Sequence, residues 1–427
     1  MLNKKTSHNN LLLEVSAWGV VLLLAIMPFH AAIVTIVGNY VGYKLFLQSW
    51  KEIAILSIAV LTIYAYVKDR TIFKLDNINK LALIIIAFSL LLTILIHTDL
   101  AGTLAGIKTN IAVLTLFLSA QTLSKYIDKP KLTKLVIYPA FVVAAIAVLQ
   151  PWILSPALLS RLGYGENSIV IGQYIESSKS VIRVFSTLGG PNQLGTYLIV
   201  PFSFCLALGL KKETRLWLVA AVLFCLPIYM TYSRSAWLGV LVATVLIVTL
   251  RLNKKAQVVI GSILGLAAIG GVIMFFSINP CGQLKTIQAQ FLHGSCVAGT
   301  IEGPDAERIK AIQTGLSTVS ANPLGYGLGS SGPASFYSSA PRIVENWFLQ
   351  ITIEVGIVGL LMYLVLFGLI FVELYRGSQN NDIISLALFG CLMGVLVTGM
   401  FLHSLGDSTL SIILFALLGI NRGYVRS

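Results

Sequence analysis

Arg183, Arg234, Arg342 and Glu345 are the residues whose types and surroundings could do chemistry. Arg342 and Glu345 lie in SAPRIVENWFLQITIEVGIVGLL (339–361), where a polar stretch runs into an apolar one, and Asn346 follows the glutamate. Their spacing of three is one turn if the segment is helical. Arg183 precedes another apolar run, and Arg234 sits in YSRSAWLGV (232–240), a very short turn between two more. Ionised side chains where water gives way to lipid are costly to hold, which makes them functional candidates. A guanidinium presents forked donors that match phosphate, so arginines converging at one boundary would make an anion site. The alternative is that each arginine reaches separately for lipid headgroups.

The elements that must position these residues are membrane helices. Of the 427 residues, 56% are hydrophobic and only 11% charged, whereas a soluble domain carries about 25% charged residues. The formal charge of +13 invites a nucleic-acid reading, but the basic residues fall in short loops between apolar runs. A bilayer needs runs of about 17–25 residues. Twelve are found, in 11–29, 50–67, 80–97, 103–122, 132–150, 193–210, 215–232, 235–250, 256–277, 346–373, 382–402 and 408–420. The first run is longer than a signal-peptide core and no small-residue cleavage site follows, so it reads as a retained span. The chain is therefore expected to be an all-α polytopic membrane protein with a single integral membrane domain over 1–427.

Orientation follows from the positive charges of alternate loops. One side collects 19 of the 30 Lys and Arg, from Lys4 and Lys5 to the tail pair Arg422 and Arg426. The other side holds the two long polar segments, 151–192 and 278–345. Both termini are thus expected in the cytoplasm and both long loops outside, where chemistry or recognition would sit. The second loop, before the tenth span, holds Cys281 and Cys296, a candidate disulfide in an oxidising compartment; by chain entropy such a bridge contributes about 3 kcal/mol. Cys205, Cys225 and Cys391 lie in spans and read as small core residues. In DAERIKAIQTGLSTVS (305–320), Ala306, Ile309, Ile312, Leu316 and Val319 recur at helical spacing, predicting an amphipathic helix with Pro304 at its start. NPLGYGLGSSG (322–332) is either a flexible turn or a stretch whose N–H groups face an anion. Asn192 opens the sixth span in an N-cap-like position.

Other polar residues read as structural. His30, His97 and His403 fall near span ends, Asp99 and Asp407 in short turns that favour solvation or capping, and Lys108 and Glu354 in or near spans without a nameable partner. Trp50, Trp152 and Trp347 fit an interfacial belt. His293 has no second histidine nearby, so no metal site is expected.

Four segments occur in a fixed order: RVFSTLGGPNQLG from Arg183, TYSRSAWLG from Thr231, Arg308 with NPLGYGLG from Asn322, and ENWFLQITIEVGIVGLL from Glu345. With the span pattern, this set resembles the O-antigen ligase and O-antigen polymerase-like membrane family over about residues 11–420. The resemblance implies a GT-C-like fold in the bacterial cytoplasmic membrane. It also implies a cofactor- and metal-independent glycosyltransferase, inverting in mechanism, acting on the extracytoplasmic face. The implied partners are an undecaprenyl-diphosphate-linked glycan donor, an acceptor that is lipid, glycan or protein, and the bilayer, with no nucleic acid. Arg183 and Arg234 would hold the carrier diphosphate and stabilise its charge on leaving, while Arg342, Asn192, Asn346 and Arg308 would bind substrate. The residue before Asn346 would be the base. Lipopolysaccharide ligases usually have histidine there; this chain has Glu345, which disfavours a lipid A-core acceptor. Three roles stay open to Glu345: general base, acceptor-positioning group, and structural partner of Arg342, since a nearby guanidinium favours an ionised carboxylate.

Two other classes compete. A multi-span transporter of a small solute such as an inorganic anion also has about twelve spans, but charges here are scarce in mid-span and no pair of broken spans marks matching halves. A structural scaffold of envelope assembly would tolerate loss of all three site charges.

Overall fold

The protein is described by a computed structural model covering residues 8–42, 44–96, 99–165, 168–175, 178–211, 214–252, 304–338 and 341–426, with short pieces at 254–257, 259, 262, 295–297 and 300–302. Apolar segments in lipid must satisfy their backbone groups internally, and helices do so here throughout. In order they are α1 (His8–Ile26), α2 (His30–Val41), α3 (Lys44–Lys68), α4 (Asn77–Ile96), α5 (Leu100–Gly106), α6 (Ala112–Leu123), α7 (Lys129–Ile153) and α8 (Pro156–Arg161). After them come α9 (Pro191–Gly209), α10 (Leu216–Met230), α11 (Arg234–Thr249), α12 (Pro304–Ala321), α13 (Trp347–Gln379), α14 (Ile383–Gly399) and α15 (Ser408–Arg426). Two small antiparallel hairpins lie in the long loops: β1 (Tyr174–Ile175) with β2 (Ser178–Ile182), and β3 (Ser295–Val297) with β4 (Thr300–Glu302).

Eight helical stretches are long and apolar enough to cross a membrane, and α10, α11 and α14 are shorter apolar helices. These eleven fall on eleven of the expected runs; the run at 256–277 lies mostly outside the described residues. The first stretch extends to Val41, past its expected end, because a 3-10 turn at Met27–Phe29 bends the chain at Pro28 without ending it. Asp99, Asp382 and Asp407 cap helices, accepting from the N–H groups of Ala101, Ser385 and Leu410, so the capping reading of Asp99 and Asp407 is met. Glycines let α11 and α14 approach closely: a Cβ on Gly239 would stand 2.8 Å from the Gly394 carbonyl oxygen.

The feature that shapes one end of the bundle is a break in α13. Gly356 has φ 73° and ψ 176°, outside the helical region, and splits the helix in two. The glycine-rich segment docks into the break: Tyr326 and Gly327 N–H groups bond the carbonyls of Ile353 and Glu354 (2.8 and 2.9 Å), and Ile357 N–H bonds that of Pro323 (3.0 Å). Gly325, Gly327 and Gly329 all have positive φ, which side-chain-bearing residues adopt only at a cost. The N–H of Gly329 faces the Glu354 carboxylate (3.2 Å), whose other oxygen accepts from Asn110 (3.0 Å). Neither reading of this segment from sequence holds as stated. It is a fixed turn, and the group its Gly329 N–H faces is the protein's own Glu354 side chain.

Several sequence expectations are corrected. The residues 341–346 are not helical, so Arg342 and Glu345 are not one helical turn apart. In α12, Ile312 and Val319 pack on Val344, Leu349 and Ile353, but Ile309 and Leu316 are exposed. The buried face runs through Gly315 instead, where Leu349 and Val344 fill the space a Cβ would take. Trp347 is no interfacial anchor: it is buried, edge-on to Phe348, Tyr363 and Phe367. Cys205 and Cys391 are buried, whereas Cys225 is exposed on α10 and does not serve the core. The expected disulfide lies outside the described residues, since Cys281 is not among them.

Arg422, counted in the basic tail, is instead an internal residue. At 2% exposure it donates to Glu373 (2.9 Å), Asp76 (2.8 Å) and Asn79 (3.0 Å), tying α15 to α13 and to the start of α4. Removing one partner of a buried ion cluster leaves the others uncompensated, at about 3–5 kcal/mol. Arg422→Met is therefore expected to lower the thermal midpoint of the purified protein by that equivalent. Gly329→Ala is expected to cost at least about 1–2 kcal/mol through its left-handed backbone, because its Cβ would also run into the Gly102 carbonyl of α5. Melting curves in detergent or nanodiscs check both.

Candidate functional site

The residues around Arg183 are held by hydrogen bonds that span three segments. Its backbone N–H bonds the Gln173 carbonyl (2.8 Å), its Nε bonds the Thr231 carbonyl (2.9 Å), and one terminal nitrogen donates to Asn192 Oδ1 (2.8 Å). The loop that carries it turns at Ser186, a non-glycine residue at φ 54°. That conformation is fixed from below: Gln150 Oε1 accepts from the N–H groups of Phe185 and Ser186 (3.0 and 2.8 Å), and the Ser186 hydroxyl donates to the Val143 carbonyl. Tyr232, beside Arg234, is likewise left-handed at φ 50°. A β-carbon in that region costs about 1–2 kcal/mol, and such strain gathers at functional sites. The turn thereby places Arg234 on the first turn of α11.

Asn192 is not the N-cap expected of it. The helix begins at Pro191 after Gly190, and the Asn192 side chain accepts from Arg183 instead. Of the three roles left open to Glu345, pairing with Arg342 is not the one seen. Its Oε2 takes the Arg308 guanidinium at 2.5 Å, bringing α12 to the start of α13. Arg342 lies with its guanidinium 4.8 Å from the centre of the Tyr326 ring, while its backbone is bonded to Gly332, Ser331 and Ser335. It latches the glycine-rich turn. The arginines that act on Arg183 are Arg308 and Arg234: burial first, and then those two positive charges, hold Arg183 below the ordinary guanidinium value. Asn346 caps α13, accepting from Leu349 N–H (2.9 Å), and donates to the Met400 carbonyl (2.9 Å).

A cavity of about 740 Å³ opens beside this cluster. Asn192 and Glu345 line it, and Arg183 and Arg308 are each bonded to one of these lining residues. His403, Ser404 and Asp407 line it from the turn between α14 and α15; Lys51 and Glu52 from α3; and Lys108 and Thr109 from a π-helical turn at Ile107–Ile111. Phe336 and Tyr337, both exposed, complete the edge. Lys51 and Glu52 form an ion pair at 3.1 Å. Burial raises the Asp407 carboxyl above its usual value, opposed by the N–H groups of Leu410 and Thr409. Burial lowers His403, with the Glu345 charge opposing.

Sequence reasoning set aside His403, Asp407 and Lys108, all of which face the cavity. A π-turn is a frequent mark of a functional position, but it depends on tertiary packing. The proximity of residues 345 and 403 likewise leaves no trace in either local sequence. An arrangement with arginines bonded to lining residues, and carboxylates, amines and a histidine among an otherwise largely apolar lining, can hold an anion beside a hydroxyl-bearing group.

Comparison with known proteins agrees with this reading over part of the chain. Residues 218–364 match the family model described as O-antigen ligase. No curated protein matches the sequence. The matched segment contains Arg234, Arg308, Arg342, Glu345 and Asn346, whereas Arg183 and Asn192 precede it. With its apolar helices, the chain is a polytopic membrane protein that carries, over residues 218–364, a segment similar to the O-antigen ligase family.

Proposed function

We propose that the protein is a glycosyltransferase that moves a glycan from an undecaprenyl-diphosphate carrier to an acceptor hydroxyl on the extracytoplasmic face of the bacterial cytoplasmic membrane. The observation that carries this is that Arg183, close enough to Arg234 and Arg308 to feel their charges, is bonded to Asn192 of the cavity lining, while Arg308 is bonded to Glu345 of the same lining. Phosphoryl oxygens leaving a sugar gain negative charge, and guanidinium groups already in place stabilise that charge more than they stabilise the bound donor. The starts of α3, α9 and α15, with α5 and the segment before α13, present residues to the cavity, and the loop charges predict that these ends face outward.

In this reading Arg183 and Arg234 bind the diphosphate, and Arg308 with Glu345 divides donor from acceptor. Asn192 fixes the Arg183 fork, and Asn346 fixes the start of α13. Arg342 contributes by holding the glycine-rich turn through Tyr326. The acceptor enters the cavity, where Phe336 and Tyr337 offer ring faces at the edge and Lys51, Glu52, Lys108 and Asp407 offer polar groups. Its new bond forms on the sugar face opposite the departing diphosphate, which inverts the anomeric centre.

Transfer is expected to fall by about 10²–10³-fold in Arg183→Ala and in Arg234→Ala. Arg183→Lys should recover little, since one ammonium cannot reproduce the fork to Asn192 and Thr231. The assay is glycan transfer in membranes, with protein amount and thermal midpoint measured alongside. Folded variants that keep full transfer would overturn the assignment, and transport of a small solute by the purified protein in liposomes would favour a carrier.

A further inference from the structure

Glu345 and His403 are brought side by side by two hydrogen bonds between their segments. Asn346 Nδ2 donates to the Met400 carbonyl at 2.9 Å, and Trp347 N–H donates to the Leu402 carbonyl at 3.1 Å. The turn that bears His403 is closed by Gly406 N–H bonding the His403 carbonyl at 2.8 Å. Both side chains line the cavity, and the charge of Glu345 acts on the imidazole. Their chemical situations differ. One oxygen of Glu345 is engaged by the permanently charged Arg308 guanidinium. His403 has no such partner: its Nδ1 is buried and makes no hydrogen bond.

We infer that His403 is the general base of the transfer reaction, and that Glu345 is the charge that orients it and stabilises its protonated form. This rests on the glycan-transfer reading of the same cavity. In the step, the cavity-facing ring nitrogen of His403 takes the proton of the acceptor hydroxyl. The hydroxyl oxygen forms a bond to the anomeric carbon. The bond from that carbon to the carrier diphosphate breaks, and its electron pair leaves with the undecaprenyl diphosphate. The imidazolium then returns its proton to water. A base and an adjacent carboxylate divide the work as in other His–carboxylate pairs, and the positive charge that develops on the ring is stabilised by Glu345 across the cavity wall.

The assignment explains why an ion-paired glutamate stands before Asn346. The base comes from the turn between α14 and α15, and the motif position keeps the carboxylate that serves it. The titratable groups that share the cavity with His403 are Glu345 from the segment before α13, Asp407 from its own turn, Lys51 and Glu52 from α3 and Lys108 from the π-turn, and of these the charge of Glu345 acts on the ring. Burial keeps the ring neutral, and so able to accept a proton, to a pH below the usual histidine value of about 6.5.

The test uses the full-length protein in nanodiscs with two probes. Undecaprenyl-diphosphate-linked glycan and an acceptor fraction, both extracted from the source membranes, report transfer; undecaprenyl diphosphate alone reports donor binding. His403→Asn should lower transfer by about 10²-fold or more while undecaprenyl diphosphate binding stays within twofold. The wild-type rate should fall on the acid side below pH 6.5. In Glu345→Gln that fall should move to lower pH, because the charge that favours the imidazolium is gone, a shift that a merely structural glutamate would not produce. Transfer at the wild-type rate in His403→Asn, or an acid limb unmoved in Glu345→Gln, would overturn the inference. If His403→Asn proves unstable, the Glu345→Gln profile decides. The two levels separate cleanly: a wild type that transfers and an Arg183→Ala that does not, together with an active His403→Asn, would leave the glycan-transfer reading standing and remove His403. A wild type that transfers nothing and does not bind undecaprenyl diphosphate would overturn both.

Discussion

The bridge that Arg183 makes between Thr231 and Asn192 is the interaction on which the rest of the site depends. Its guanidinium joins the end of the first long loop, the start of α9 and the turn that carries Arg234. A guanidinium bonded to a cavity-lining residue must have its donors satisfied, and here a backbone carbonyl and an amide oxygen do so. The backbone on both sides is strained, at Ser186 and Tyr232, and that strain persists only because Gln150, Val143 and the Thr231 hydroxyl fix the surrounding turns. Three guanidinium groups are thereby held within reach of one another's charge by rigid geometry.

A second frame holds the segment that carries Glu345. The break at Gly356 leaves carbonyls that the glycine-rich turn satisfies, and the same turn gives an N–H to Glu354. Arg342 on Tyr326 secures the turn, and Asn346 ties the beginning of α13 to the segment before α15. The cavity is therefore bounded by two independently braced structures, with the Arg308–Glu345 pair where they meet. Near the C-terminal end of α15 the Arg422 cluster fixes α4, α13 and α15 against one another, so α15, whose first turn lines the cavity, is also held at its other end.

Much of this was legible in the sequence. The apolar runs gave the helices nearly in place, because a segment in lipid has few conformational options. Arg183, Arg234, Arg308 and Glu345 were all singled out, and α12 was predicted from its spacing and from Pro304. What was not legible depends on contacts between distant segments. Arg342 and Arg308 exchange roles because residues 341–346 are not helical, so the three-residue spacing to Glu345 carries no helical meaning. His403 lies at a span end like many packing histidines, and only the hydrogen bonds from Asn346 and Trp347 bring it to Glu345. Arg422 resembled a tail residue until Glu373 and Asp76 met it from two other helices. The exposed Ile309 and Leu316 show the same limit, since helical spacing defines stripes but not which stripe is covered.

The central claim is that Arg183 and Arg234, with Arg308 close by, hold the diphosphate of a lipid carrier. The most direct measurement is a structure of the protein in a lipid nanodisc with undecaprenyl diphosphate bound. The account predicts the diphosphate in contact with Arg183 and Arg234, close to Arg308, with its outer phosphate directed toward the wall formed by Asn192 and Glu345. A diphosphate bound instead at Arg342 and Tyr326, or at the Arg422 end of the bundle, would contradict it.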